Sequence, residues 1–442
     1  MAFLEAFGEW AGGLELEDVP SATIDRARLE VANMVAASLA GWKVEGRRFL
    51  APIVERASEG PCRAAGGIRT DMTTAYVVNA TCSMFHDWDD YLFMGHSGHS
   101  AVFASLAACQ SADGSIDDLL RAVVISNELQ GRLGASCVLG PHNGQMWTFI
   151  HQAGAAAAVA VLLGGDGPAI REAVALALYA PPSAHEAGFM DGDAKHLTAS
   201  LPGASGIRCG MLAAGGARGA RNALEGEGSF LQTYPFLGLP HMLGGLGDSW
   251  VTDTISYKPR PGCAYIQAPL QLLDELRTEH GFEQEDVERI DVHGSLVTVL
   301  MEGLSRQHRR EQVTPVQATF SVPLSLAVSL IEGEFSAAKL VRPVLQGRGS
   351  DVREVAVDIH LHHDWDHTAE VVGGISRGID LRPLVGEVGP RRLISAVRQL
   401  RKQHGHVSLL GELVDLAASR QVPAVMDAFQ SPLEWDAFDM AA

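Results

Sequence analysis

Over its first ~285 residues the chain repeats one pattern, apolar side chains three and four positions apart, broken by short polar or glycine-bearing turns. Between residues 21 and 41, Ile24, Ala27, Val31, Val35 and Leu39 fall on one helical face, with Ser21 or Thr23 as the cap and Gly41 as the stop. The same reading predicts helices over residues 72–86, 101–111, 116–133, 152–163, 169–179 and 207–224. Ser115, at the end of a "DGS" turn, is placed to cap the helix that follows it. No segment before residue ~285 alternates as a strand should. With aromatics at only 6%, such a body must fill its core by close helix–helix approach through alanine and glycine.

The pattern then changes. Residues 287–300, "VERIDVHGSLVTVL", are β-branched and partly alternating and read as a strand; residues 317–333 return to helix. Residues 353–372 read as two strands with a turn near Asp364–Asp366. Basic amphipathic helix follows over 391–403, and a last helix over 407–419. The expected fold class is therefore mostly α with a smaller α+β domain, the C-terminal helices returning to the helical body.

The formal charge is −19, from 34 basic and 53 acidic residues. That balance argues against nucleic acid or an anionic membrane as partner. It also obliges any pocket for an anion to build its own local positive charge. The six cysteines show no CxxC or tight spacing and read as reduced, mostly buried thiols. The start, "MAFLEAFGEWAGG", lacks the features of a signal peptide, and the longest apolar run, around 153–163, is short for a bilayer. A cytoplasmic location and no membrane partner are expected.

Four stretches carry chemistry-bearing residues. "HDWDDYLFMGHSGHS" (86–100) packs three aspartates and three histidines into fifteen positions. As a metal site it lacks a completing cluster, which leaves an acid/base apparatus and a polar loop as the open readings. "HLHHDWDH" (360–367) has the wrong order for a metallohydrolase and reads as turn polarity. "DAKHLTASLPGASG" (193–206) and "YKPRPGCAYIQAP" (257–269) each place a lysine, Lys195 and Lys258, in a rigid turn before a helix. Helix N-termini favour anions, so these are natural places for a substrate carboxylate.

Taken in order, these blocks resemble the MmgE/PrpD family. Its "DFDD…HP(S/G)…LA" block is similar to residues 87–107, and its "K…G…G…LA" block to 195–213. Its "KxYPxC" turn resembles "KPRPGC" (258–263), and its "FSxPY" helix start resembles "FSVPL" (320–324). The resemblance implies an all-helical domain over 1–262 and 393–442 and an α+β lid domain over 263–392. It implies a homodimer, no metal and no organic cofactor, and a small-molecule carboxylate as substrate. The family's dehydratases, decarboxylases and epimerases act on small di- or tricarboxylates at the carbon α to a carboxylate. By position, Asp87 and His96 match its acid/base pair, and Lys195 and Lys258 its active-site lysines, fixed cations for a developing anionic charge.

Several substrate-contacting positions depart from the family pattern. Tyr91 stands where a threonine is usual, and Leu324 replaces the tyrosine of "FSxPY". A family histidine falls on Gln145, with His142 three residues away. Two others fall on Cys263 and Gln267; a lowered thiol pKa would let Cys263 carry protons. Three readings follow: a dehydratase acting on a small di- or tricarboxylate or an alkyl-substituted analogue, an isomerase or epimerase, and a degraded paralogue that only binds a carboxylate.

Overall fold

The computed structural model describes residues 2–93, 95–142, 144–308, 312–378 and 390–403. Numbering the helices longer than ten residues, the helical body comprises α1 (Phe3–Gly13), α2 (Ser21–Gly41), α3 (Met72–Ser83), α4 (Gly98–Ser111), α5 (Ile116–Ser136), α6 (Thr148–Leu162), α7 (Gly167–Tyr179) and α8 (Ser200–Ala214). Helix α6 is the hub, packed against α4, α5, α7 and α8. Its sequence, "TFIHQAGAAAAVAVL", is apolar nearly all round, and Thr148 to Val161 are all buried. Helix α8 lies close enough that a Cβ on Gly206 would sit 2.1 Å from the Gln152 carbonyl oxygen. One on Gly210 would sit 2.7 Å from that of Ala156. The small residues thus buy backbone proximity, and the core is close-packed without large rings.

Beyond the body come α9 (Ala264–His280), β3 (Ile290–Gly294), α10 (Leu296–Gln307), α11 (Val322–Glu332), α12 (Arg342–Val357), β4 (Ile359–His363) and α13 (Trp365–Gly378). Strands β3 and β4 pair in parallel, Ile290 opposite Ile359 and Gly294 opposite His363. A second core joins α9, α11, α12 and β4 through Ile266, Leu270, Val322, Leu326, Leu345 and Ile359. The last described helix, α14 (Pro390–Gln403), buries Ala396 in a cluster with Phe93, Leu237, Met242 and Val251. Among the described residues no helix is long and apolar enough to cross a membrane.

The expected mixture of mostly α structure with a smaller α+β part is what the chain adopts. Five local expectations are corrected. Short strands β1 (Cys62–Ala64) and β2 (Ile68–Thr70) form an antiparallel pair where none was expected; at three residues each they carry too little alternation to read. The 287–300 strand stops at Gly294, because Ser295 caps a helix by accepting from the Thr298 N–H and carries the β-branched residues into α10. Residues 353–372 are not a hairpin: α12 runs in, β4 pairs with the distant β3, and α13 begins at Trp365. The 207–224 helix begins at Ser200 and ends at Ala214. Ser21 and Thr23 do not cap α2; Pro20 precedes its first turn and no side chain caps it. Ser115 does cap α5, in a reciprocal box with Asp118. The helix expected over 407–419 lies outside the described residues.

Candidate active site

Helix α3 stops at Ser83 and α4 starts at Gly98, and the loop between them lies inside the protein. Buried backbone needs hydrogen-bond partners, and several of the loop's groups find them in residues 256–262. Tyr91 and Ser256 exchange N–H···O bonds of 3.1 and 2.8 Å, and the Gly262 N–H donates to the His86 carbonyl at 3.0 Å. The Trp88 indole N–H donates to the Lys258 carbonyl at 2.9 Å. These bonds draw residues 256–262 onto the loop. Asp87 takes a left-handed backbone (φ 52°), a conformation aspartate tolerates better than most residues.

Four charged groups meet there, all buried. Asp87 Oδ1 accepts from Lys195 Nζ at 2.8 Å and from Gln145 Nε2 at 2.6 Å. Lys258 Nζ reaches the Asp87 carbonyl (2.7 Å), Asp87 Oδ2 (3.2 Å) and Asp89 Oδ1 (2.9 Å). The other oxygen of Asp89 lies 2.5 Å from His96 Nδ1 and 3.1 Å from His99 Nε2. Burial alone would raise both aspartates, but the lysines outweigh it. Lys195 and Lys258 hold Asp87 low; Lys258, His96 and His99 hold Asp89 well below the carboxylate range. Burial would depress Lys258, yet Asp87 and Asp89 carry it upward. The sequence reading placed the lysines as fixed cations facing a substrate's developing charge. In the structure their ammonium groups are paired with Asp87 and Asp89, because a fully buried cation needs a carboxylate beside it.

Above this cluster lies a cavity of about 1790 Å³. His96, His142, Gln145 and Cys263 stand on its wall; Asp87, Lys195 and Lys258 lie behind it. Lys195 Nζ sits 5.1 Å from the ring centre of Phe320, itself a wall residue. His96 therefore offers the cavity an imidazole whose Nδ1 is fixed by an anion. Gln145 offers an acceptor. Its amide nitrogen is oriented by the aspartates, and its buried Oε1 has no partner among the described residues.

The remaining expected residues fall at different depths. The Tyr91 ring centre is 6.1 Å from that of His96, off the cavity wall. The His142 carbonyl accepts from the Trp147 indole at 2.6 Å. Cys263 precedes the first turn of α9, but its thiol is pushed up to about 12 by burial and then by Asp87, with Lys258 only partly opposing. The lowering that a proton-carrying role would require is thus absent, and the thiol stays neutral. Gln267 reaches back 3.1–3.3 Å to the carbonyls of Pro261, Gly262 and Cys263, bracing the turn from off the wall. Leu324 belongs to the second core, because α11 turns that face inward to its own packing partners.

Two features escaped the sequence reading. The aromatic wall, Phe189 and Phe320, is gathered from distant segments with no shared motif. Glu30 is the other. It lies on the buried face of α2 with Ala27, Met34 and Ala37, a register in which an acid is out of place. It faces Asp90, and Asn127 donates to its Oε2 at 2.6 Å. Burial, then Asp89, raises Asp90 to about 7; burial, then Asp90, raises Glu30 well above the usual range.

No group of three or more His, Cys, Asp or Glu side chains among the described residues is arranged to hold a metal. His362 and His363 of the "HLHHDWDH" stretch pair with Asp291 (2.7 Å) and Thr368 (2.8 Å).

A cis-aconitate decarboxylase of Aspergillus terreus is 24% identical over 351 residues, 73% of this chain and 70% of that protein. The protein of the same description from A. terreus strain NIH 2624 is 24% identical over 354 residues, with the same coverage. The model of the MmgE/PrpD N-terminal domain matches residues 5–235, more than half of the sequence. The chain, with its buried aspartate–lysine cluster beneath a histidine-bearing cavity, belongs to the MmgE/PrpD family.

Proposed function

We propose that the protein is a metal-independent hydro-lyase that removes a proton α to a carboxylate and the hydroxyl from the neighbouring carbon. Family membership supports the general part, an acid/base enzyme acting on a carboxylate. The finer reading rests on one observation: His96 stands on the cavity wall with Nδ1 held by buried Asp89.

Asp89 keeps the proton on Nδ1, so Nε2 carries the lone pair toward the cavity. His96 Nε2 takes the α-proton, and the C–H electron pair becomes the new C=C bond. The C–O pair leaves with oxygen, which takes the proton back from His96 and departs as water. Atoms and charge balance with one imidazole serving both steps. Gln145 Oε1 is placed to accept from the substrate hydroxyl. In this reading the proton traffic runs through His96, and Asp87 stays ionised between its two lysines. We assign it, with Lys195 and Lys258, to fixing the loop and the field around Asp89. The donor set supports a metal-free site, since Asp89 is already engaged by His96 Nδ1 and by Lys258, with His99 Nε2 3.1 Å away.

An isomerase or epimerase is the second reading, favoured by His142 as a further imidazole on the same wall. Decarboxylation, the reaction in the names of the A. terreus relatives, would need His96 only as a proton donor to carbon. The deciding experiment is proton NMR in D₂O with citrate-like, malate-like and alkyl-substituted dicarboxylates. Vinyl signals without loss of a carboxylate support the hydro-lyase. Vinyl or methylene signals with release of CO₂ indicate the decarboxylase. Exchange of the α-proton without net conversion, or with inversion only, indicates the isomerase. A homodimer, a cytoplasmic location and the division into 1–262 with 393–442 against 263–392 belong to the same proposal; Ala396 packing with Phe93 and Val251 supports the return of the C-terminal helix.

A further inference from the structure

The cavity is larger and more apolar than a compact polyanion needs. Its volume, about 1790 Å³, exceeds the roughly 300–1,000 Å³ of most small-molecule sites. His96, His142 and Gln145 share the wall with apolar side chains, the clustered Phe189, Phe320, Met301 and Leu304 together with Leu272 and Leu276. The last two remain 58% and 48% exposed. A large wall that carries the reacting imidazole, an aromatic and aliphatic cluster and two exposed leucines suits an alkyl chain.

Charge points the same way. The described wall carries no lysine, and its arginine, Arg289, is bonded to Asp291 at 2.6 Å. Exposed acids, Asp286, Glu288 and Glu370, stand on the same wall. The two lysines behind the wall are matched by two aspartates. A tricarboxylate would pass acidic groups and then give up its hydration with no uncommitted lysine or arginine on the wall to replace it. An alkyl chain gains from the same surface.

We infer that the substrate class of this site is a carboxylate bearing a long alkyl chain. Its head lies at His96 and Gln145, and its chain runs along Phe189, Phe320, Met301 and Leu304 toward Leu272 and Leu276. The inference rests on the lyase reading for the placement of the head, and so it is tested by binding, which needs no turnover. Titration calorimetry with succinate, butylsuccinate, octylsuccinate and dodecylsuccinate, below their aggregation concentrations, reads the chain, and tricarballylate is the polyanionic control. The expected result is a Kd that tightens roughly three- to fourfold per added methylene between butyl and octyl, with tricarballylate weaker than octylsuccinate. The double variant Leu272→Glu, Leu276→Glu, made at half-exposed positions, should flatten the gain between octyl and dodecyl. Equal affinity across the series, tighter binding of tricarballylate, or an unchanged chain dependence in the double variant overturns the inference. The two readings fail separately. Chain-dependent binding with no reaction in D₂O refutes the lyase alone, and turnover of citrate-like acids with a flat chain series refutes the chain alone.

Discussion

Asp89→Asn replaces one carboxylate oxygen by NH₂ and, by this geometry, inverts the chemistry of the site. Asp89 Oδ1 lies 2.9 Å from Lys258 Nζ, and Oδ2 lies 2.5 and 3.1 Å from His96 Nδ1 and His99 Nε2. In the asparagine, the carbonyl must stay on the ammonium, since a donor there would face a buried cation. The NH₂ then points at both imidazoles. Each must turn an acceptor toward it. His99 manages this by moving its proton to Nδ1, where the Ser83 hydroxyl oxygen at 2.7 Å accepts. His96 moves its proton to Nε2 and so presents the cavity with a donor where the wild type presents a base. Loss of general base catalysis is worth about 10²–10⁴ in kcat, or roughly 3–5.5 kcal/mol of barrier. The variant also leaves the buried cluster one negative charge short, at about 3–5 kcal/mol of stability. Activity must therefore be measured where circular dichroism shows the variant folded. Nitrogen-15 NMR of the histidines should show His96 Nε2 protonated in Asp89→Asn but not in Asp87→Asn, which leaves the Nδ1 acceptor in place. A folded Asp89→Asn protein with turnover within a few fold of wild type, and Nε2 still unprotonated, would refute the reasoning.

Other expectations can be checked with the same protein. Lys258→Ala leaves Asp87 and Asp89 facing each other without their shared cation, and should lose about 3–5 kcal/mol in denaturant unfolding as well as activity; a loss under about 1 kcal/mol would mean the pair is solvated rather than buried. Asp90 is raised from 3.8 to about 7, so the stability tied to its neutral form is complete below pH ~4 and lost as pH rises through about 7. Wild-type Tm should fall over that window, and Asp90→Asn should flatten the fall; parallel profiles would count against a raised Asp90. Gly206→Ala places a methyl 2.1 Å from a backbone oxygen that cannot swing aside, and should cost about 1–3 kcal/mol by thermal melting. Chelator should leave turnover unchanged; loss of activity restored by zinc or manganese would contradict the metal-free site.

What the sequence settled by itself was whatever local spacing encodes. Helical periodicity gave α2 its extent to the residue, and Ser115 marked the start of α5, because an N-cap is a contact between positions three apart. The loop of 86–100 and the two lysine turns were legible as chemistry because unusual residue types crowd there. What the tertiary structure decided was every pairing across distance. Asp89, not Asp87, holds His96. The lysines, legible only as positive charges, prove to be matched by those aspartates, since desolvation forbids a lone ammonium at that depth. Cys263, whose helix-end position suggested a reactive thiol, is raised instead by burial that no neighbouring residue in sequence reveals. The 353–372 segment alternates enough to resemble a hairpin, yet β4 pairs in parallel with a strand some 70 positions earlier, and parallel pairing leaves no turn signal to read. Periodicity and caps act within a few residues of themselves and can be read from the chain. The partner of a buried charge is chosen by the whole packed body, and only the fold names it.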